Sequence, residues 1–182
     1  SKQPRPEERE MFTAWVAGLK FLSPKDPGVY ALRRLNRVEY SNTLRDLLGV
    51  DSSLAAGLPE EVFGEGYLNS LSPLLMEQFM GVANEVVGKL ASGPAPAKTD
   101  LLRRLFGTAF ADHAPAGEGQ AQAREAARLL ARRAFRRPPT EGEVDTLGEA
   151  YALGIRYGRS HTEALWLMLK AALVSPQFLY IL

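Results

Sequence analysis

Residues 32–50 read LRRLNRVEYSNTLRDLLGV, and this stretch decides the fold class. Asn36 followed three residues later by Glu39 has the spacing of a capping box, in which each side chain satisfies a backbone N–H at a helix start. Tyr40, Leu44, Leu47 and Leu48 then recur at helical spacing, and Gly49 suits a left-handed helix end. A capped amphipathic helix of this kind must bury one face against other helices.

The same grammar repeats outward. Toward the N-terminus, Pro4 and Pro6 precede a helix expected over about 7–22, with Glu7, Glu8 and Glu10 where the helix dipole favours negative charge. Two prolines and Gly28 break the chain at 23–28. Toward the C-terminus, 50–70 is the longest irregular stretch. Ser72-Pro73 opens a third helix with a stripe of Leu75, Phe79, Val82, Ala83, Val86 and Leu90, interrupted by Gly81 and Gly88, which suggest close helix contacts.

The segment ASGPAPAK at 91–98 reads as a linker, with Thr99 capping the next short helix through Ala111. A helix is expected over about 120–136 after a loose connector at 113–119. Thr140…Glu143 and Ser160…Glu163 are two further capping boxes, opening helices to about Tyr157 and over 164–174. The last of these is apolar almost all round (Leu165, Trp166, Leu167, Met168, Leu169, Leu173), which places it at the centre of its bundle. Ser175-Pro176 starts a final turn. No segment alternates with period two, so no sheet is expected. The expected fold is all-α, as two contiguous small helical bundles: an N-terminal helix within 1–28, a first domain over 29–91, a linker at 92–98 and a second domain over 99–182.

Composition bounds the function. Lys and Arg total 22 against 21 Asp and Glu in 182 residues, a balance that argues against a bulk nucleic-acid or membrane-surface binder. Cysteine is absent, so these residues offer no disulfide, thiolate nucleophile, cysteine zinc site or covalent haem attachment. No apolar run approaches the ~20 residues of a membrane span. The chain opens on Ser1 without an initiator Met or visible signal peptide, so it reads as a piece of something longer.

Candidate sites are few. Arg124, Arg128, Arg132 and Arg136 step by four, with Arg133 and Arg137 beside them. The run reads as an anion or interdomain contact site, or as a solvated face paired with Glu141, Glu143 and Asp145; no stacking aromatics accompany it, which favours the second. Arg34, Arg37, Arg45 and Asp46 are ion-pair candidates, with Arg45-Asp46 expected in buried or interdomain pairs. Asp51, Glu60, Glu61 and Glu65 are weak calcium-type candidates without DxDxD spacing. His113 and His161 share no local motif, and no GxSxG or Walker-type run occurs.

Two pairs of segments carry a family resemblance. LRRLNRVEYSNTLRDLLGV at 32–50 with SLSPLLMEQFMGVANEVV at 70–87 resembles one domain of unknown function, family 1587. ARRAFRRPPTEGEVDTL at 131–147 with ALWLMLKAALVSPQFLY at 164–180 resembles a second, family 1595. The two occur consecutively in large secreted proteins described as planctomycete-type and cytochrome c-associated. PEEREMFTAWVAGL at 6–19 is similar to the closing helix of a cytochrome c-like domain. The 50–70 loop departs from the family in using mostly Glu where Asp, Gly and Asn are expected.

The resemblance implies an exported module, periplasmic or extracellular, whose haem sits in an upstream domain and whose partners are other domains of the same protein. It implies no catalytic residue here. The leading expectation is a non-catalytic structural and interaction module. The alternative is a cleft-forming part of a haem-dependent oxidoreductase, acting on carbohydrate, with a redox partner or a polysaccharide as ligand.

Overall fold

The structure is a computed structural model, and it describes residues 6–17, 33–59, 71–114 and 119–181. The chain divides into two units, Ser1–Ala31 with Leu182, and Leu32–Ile181. In the first unit the described element is helix α1, Pro6–Ala17, which exposes Met11 and Trp15; the rest of the helix expected to Leu22 lies outside the described residues.

The second unit opens with strand β1 (Arg33–Arg34) and helix α2 (Arg37–Leu48), followed by a 3-10 turn at Ser52–Ala55 and helix α3 (Pro73–Ser92). The Asn36–Glu39 capping box forms in full, and Gly49 takes φ 73° at the far end. Helices α4 (Ala95–Phe106) and α5 (Thr108–Asp112) come next. Then come α6 (Gly119–Ala134), α7 (Glu141–Arg156), α8 (His161–Leu173), α9 (Pro176–Leu179) and strand β2 (Tyr180–Ile181). Among the described residues the fold is all-α apart from one two-residue ladder.

Helix α8 is the hub, as its all-round apolar sequence requires. Ala164, Leu165, Trp166, Met168, Leu169, Ala172 and Leu173 are buried, and the helix packs against α3, α6, α7 and α9. Helix α6 approaches on an alanine-rich face (Ala123, Ala126, Ala127, Ala131, Ala134), small residues that let helix axes come close.

One core cluster draws on residues from Leu35 to Leu179, and Leu32–Ile181 forms one compact unit. Three expectations are corrected. The supposed linker holds the end of α3, a turn at Gly93-Pro94 and the first turn of α4. Its prolines occupy first-turn positions that have no intrahelical N–H partner to lose. A sheet exists after all: β1 and β2 pair antiparallel, Arg33 opposite Ile181 and Arg34 opposite Tyr180, extended by Leu35 N–H donating to Leu179 O at 2.7 Å. A Cβ placed on Gly81 or Gly88 would meet nothing within 4 Å, so neither marks a close helix contact; that role falls to Gly154.

Tyr40 is fully buried, its ring edge-on to Phe79 at 4.9 Å and to Phe178 at 5.7 Å. Its hydroxyl has no hydrogen-bond partner among the described residues, and burial pushes the phenol well above its usual range. An orphaned buried hydroxyl costs about 1–3 kcal/mol. Tyr40→Phe is therefore expected to stabilise the protein by about 1 kcal/mol in urea denaturation; destabilisation would show that the hydroxyl has a partner in solution.

Candidate functional site: the junction of the two motif segments

The two motif segments of the sequence meet where β1 pairs with β2, and arginines hold the junction. Arg33 donates twice to Glu39, at 2.7 and 2.8 Å, while Glu39 also accepts the Asn36 N–H at 3.0 Å. The Arg33 hydrogen bonds are the main reason the Glu39 carboxyl lies below its usual range. Arg137 repeats the device, donating to Glu143 at 2.5 and 2.9 Å while Glu143 accepts the Thr140 N–H at 2.8 Å. In both segments the pattern is Arg-x-x-(Asn or Thr)-x-x-Glu: an arginine three residues before the cap grips the capping-box glutamate. Sequence reasoning found the boxes and weighed the arginine run that holds Arg137 against Glu143, but it missed the shared spacing that ties one arginine to each box.

Arg136 closes the junction from the other side. It holds a left-handed φ of 58°, rare for a residue with a Cβ, and this geometry ends α6. Its guanidinium lies 5.6 Å from the Phe178 ring centre and donates to Phe178 O at 2.7 Å and Tyr180 O at 3.3 Å. Arg34 stacks over Phe79 at the same distance from its ring centre, 5.6 Å. Tyr40 thus sits between two rings, each topped by an arginine.

Of the remaining arginines of the run, Arg124 and Arg128 face α7. Arg124 bonds Asp145 and, at 2.8 Å, Glu141. Arg128 bonds Glu141 at 2.5 and 3.0 Å, with a longer 3.4 Å contact to Glu125. Arg133 donates to Leu129 O at 3.3 Å and Leu105 O at 3.5 Å. Arg132 is exposed and makes no hydrogen bond or ion pair among the described residues. Arg45 and Asp46 pair at 3.3 Å on the surface of this unit, with side chains 54% and 72% exposed, because the turn between Leu44 and Leu47 faces away from the core. Arg37 is half-buried in the first turn of α2.

The acid pairs make an acid-stability prediction. Arg137's hydrogen bonds, opposed by burial and aided by the Thr140 N–H, pull Glu143 from 4.5 to about 2. A folded value below the unfolded one means the stabilisation is complete above 4.5 and drains away as pH falls toward 2. Arg137→Gln should therefore unfold at lower urea than wild type at neutral pH and converge on it near the acid end of that window. Parallel curves across the window would refute the assignment.

Asp51 caps the 3-10 turn, accepting the Ser53 N–H at 2.7 Å, whereas Glu60, Glu61 and Glu65 lie outside the described residues. No group of three or more His, Asp or Glu among the described residues is placed to hold a metal. His161 has a different job. Its Nε2 lies 2.5 Å from Phe110 O, and a carbonyl can only accept, so this nitrogen carries hydrogen. In the neutral ring Nδ1 then accepts from the Tyr151 hydroxyl at 2.8 Å. The histidine ties α8 to α5 and α7. Tyr151, whose phenol burial pushes up, also lines a cleft of about 820 Å³ along α6 and α7, with Arg124, Asp145, Gly148, Glu149 and Ile155.

Two family models match the chain. The one described as Protein of unknown function (DUF1587) covers residues 33–92, and the one described as Protein of unknown function (DUF1595) covers 122–182. The chain carries both domains, in that order. No curated protein and no solved structure matches it. Against the fold, the first strand of the 1587 segment pairs with the last strand of the 1595 segment. Between them lie α4 and α5, outside both matches, which add Leu101, Leu102, Leu105, Phe106 and Phe110 to the shared core. No helix among the described residues is long and apolar enough to cross a membrane.

Proposed function

We propose that this chain is a non-catalytic helical structural and interaction module, in which the 1587 and 1595 domains form one rigid piece of a larger exported protein. The observation that carries this reading is the fate of the motif arginines. Arg33, Arg136 and Arg137 are spent on glutamates and carbonyls inside the unit, where they fix geometry. In this reading the neighbouring domains of the parent, a haem-bearing cytochrome c-like domain first among them, are the partners, and the haem chemistry belongs to that domain.

A second reading rests on the cleft along α6 and α7. Its volume is in the range of small-molecule sites, and its wall carries Tyr151 backed by His161. That favours a cleft-shaping part of a haem-dependent oxidoreductase, with a carbohydrate as the ligand.

The test is calorimetry of the chain with the upstream domain of its parent, with a reduction-potential titration of that domain alone and in the mixture. The module reading expects saturable binding with an unchanged potential. A shifted potential on binding favours the oxidoreductase reading, and absence of binding sinks the interdomain role.

A further inference from the structure

A smaller cleft, about 390 Å³, lies where the ends of α2 and α3 meet the start of α4. Its floor is apolar, made by Leu48, Leu90 and Leu101, and its rim carries Lys89, Lys98 and Arg104. The charges on the rim are unequal in their partners. Lys89 pairs with Glu85 at 3.1 Å and also acts on Asp51. The one rim carboxylate, Asp100, is 3.6 Å from Arg103 on its own helix. Lys98 and Arg104 have no carboxylate partner among the described residues. Lys98 Nζ reaches only Ala91 O at 3.4 Å, and Arg104 gives one N–H to Leu47 O at 2.9 Å. An arginine has five N–H donors in a fork suited to a two-oxygen anion, so most of this one's capacity is unspent.

We infer that this cleft binds a compact organic oxyanion, a phosphate or carboxylate on a body of roughly monosaccharide size. The oxyanion meets Arg104 and Lys98, and the body lies over the leucines. Three features of the chemistry converge. Two cations that have no carboxylate partner among the described residues face one concavity. The floor offers apolar contact, which a bare ion does not use. The volume exceeds the need of an inorganic ion and falls near the lower end of metabolite pockets. A purely structural role, in which both side chains merely cap the carbonyl ends of α2 and α3, predicts no ligand.

The test titrates the chain at low salt with glucose 6-phosphate, inorganic phosphate and glucose, read by calorimetry and by amide NMR shifts over residues 48–50 and 93–98. Glucose 6-phosphate is expected to saturate and to bind more tightly than inorganic phosphate, with glucose silent. Lys98→Gln and Arg104→Gln should each weaken it about tenfold, the range of a charge-assisted hydrogen bond. Lys98 is bonded only at 3.4 Å, so Lys98→Gln should keep the wild-type melting midpoint even where Arg104→Gln does not. Arg132→Gln is the exposed control and should bind as wild type. Absence of saturation by either anion overturns the site. So does equal affinity for inorganic phosphate, or a loss in Arg132→Gln as large as that in Lys98→Gln.

Discussion

Phe178→Ala is expected to cost about 4 kcal/mol and to loosen both matched segments at once. The ring is fully buried. It belongs to α9, a single turn of four residues that has no stability of its own and is held by what it touches. On one side it meets Tyr40 of α2, on the other the Arg136 guanidinium. Truncation removes a full aromatic from the core and leaves Tyr40 facing a hollow. It also takes the ring from beneath an arginine that burial already disfavours. Against a total stability of about 5–15 kcal/mol, this is a large fraction. The check is urea unfolding by circular dichroism, with hydrogen exchange of amides in α2 and α8. One transition should persist, and protection should fall in both helices together. Loss confined to α8 and α9, with α2 as protected as in wild type, would mean that the two domains are separately stable. The rigid-module reading would then fail.

Legibility in the sequence followed the range of the interaction. The caps at Asn36, Ser72, Thr140 and Ser160, and the glycine end at Gly49, are set by residues within four positions of one another, and all form as read. The burial of α8 was legible because its composition leaves no polar face. The β1–β2 ladder was not, because two residues carry no period and the pairing joins chain ends far apart in sequence. The start of α4 was missed because Pro94 and Pro96 look like linker residues, yet proline suits the first turn, and the leucines that hold the helix come later. Of the two alternatives read for Arg45 and Asp46, burial is set aside by their helical phase relative to Leu44 and Leu48, which turns both to the surface of the unit. As for the site, the arginines were recognised as a group, but which of them face α7 and which reach α9 is a tertiary fact. Arg136 differs from its neighbours in the run only because the backbone turns left-handed there.

The same contrast between local and tertiary signals governs the glycines, and it sets the second large effect. Gly154→Val is expected to destabilise the protein by about 3 kcal/mol. A Cβ at this position would lie 3.0 Å from Ala164 Cβ and 3.1 Å from Ala164 Cα, with Leu167 Cδ2 at 3.5 Å. The Leu167 methyl can rotate aside, but Ala164 cannot. It sits in the first turn of α8, pinned by its own N–H to Ser160 O at 2.9 Å and by the Ser160–Glu163 capping box. Relief therefore requires α7 and α8 to separate, and that displacement acts one turn away on the Tyr151–His161 hydrogen bond. The thermal midpoint should drop, and the His161 ring resonances should shift with it. Gly88→Ala is the counter-case: it sits in a helix with nothing within 4 Å of the added methyl, so only the helix-propensity gain of about 1 kcal/mol remains. A Gly154→Val variant as stable as Gly88→Ala would mean that the α7–α8 contact is loose, and that the small residue is there by chance rather than by packing.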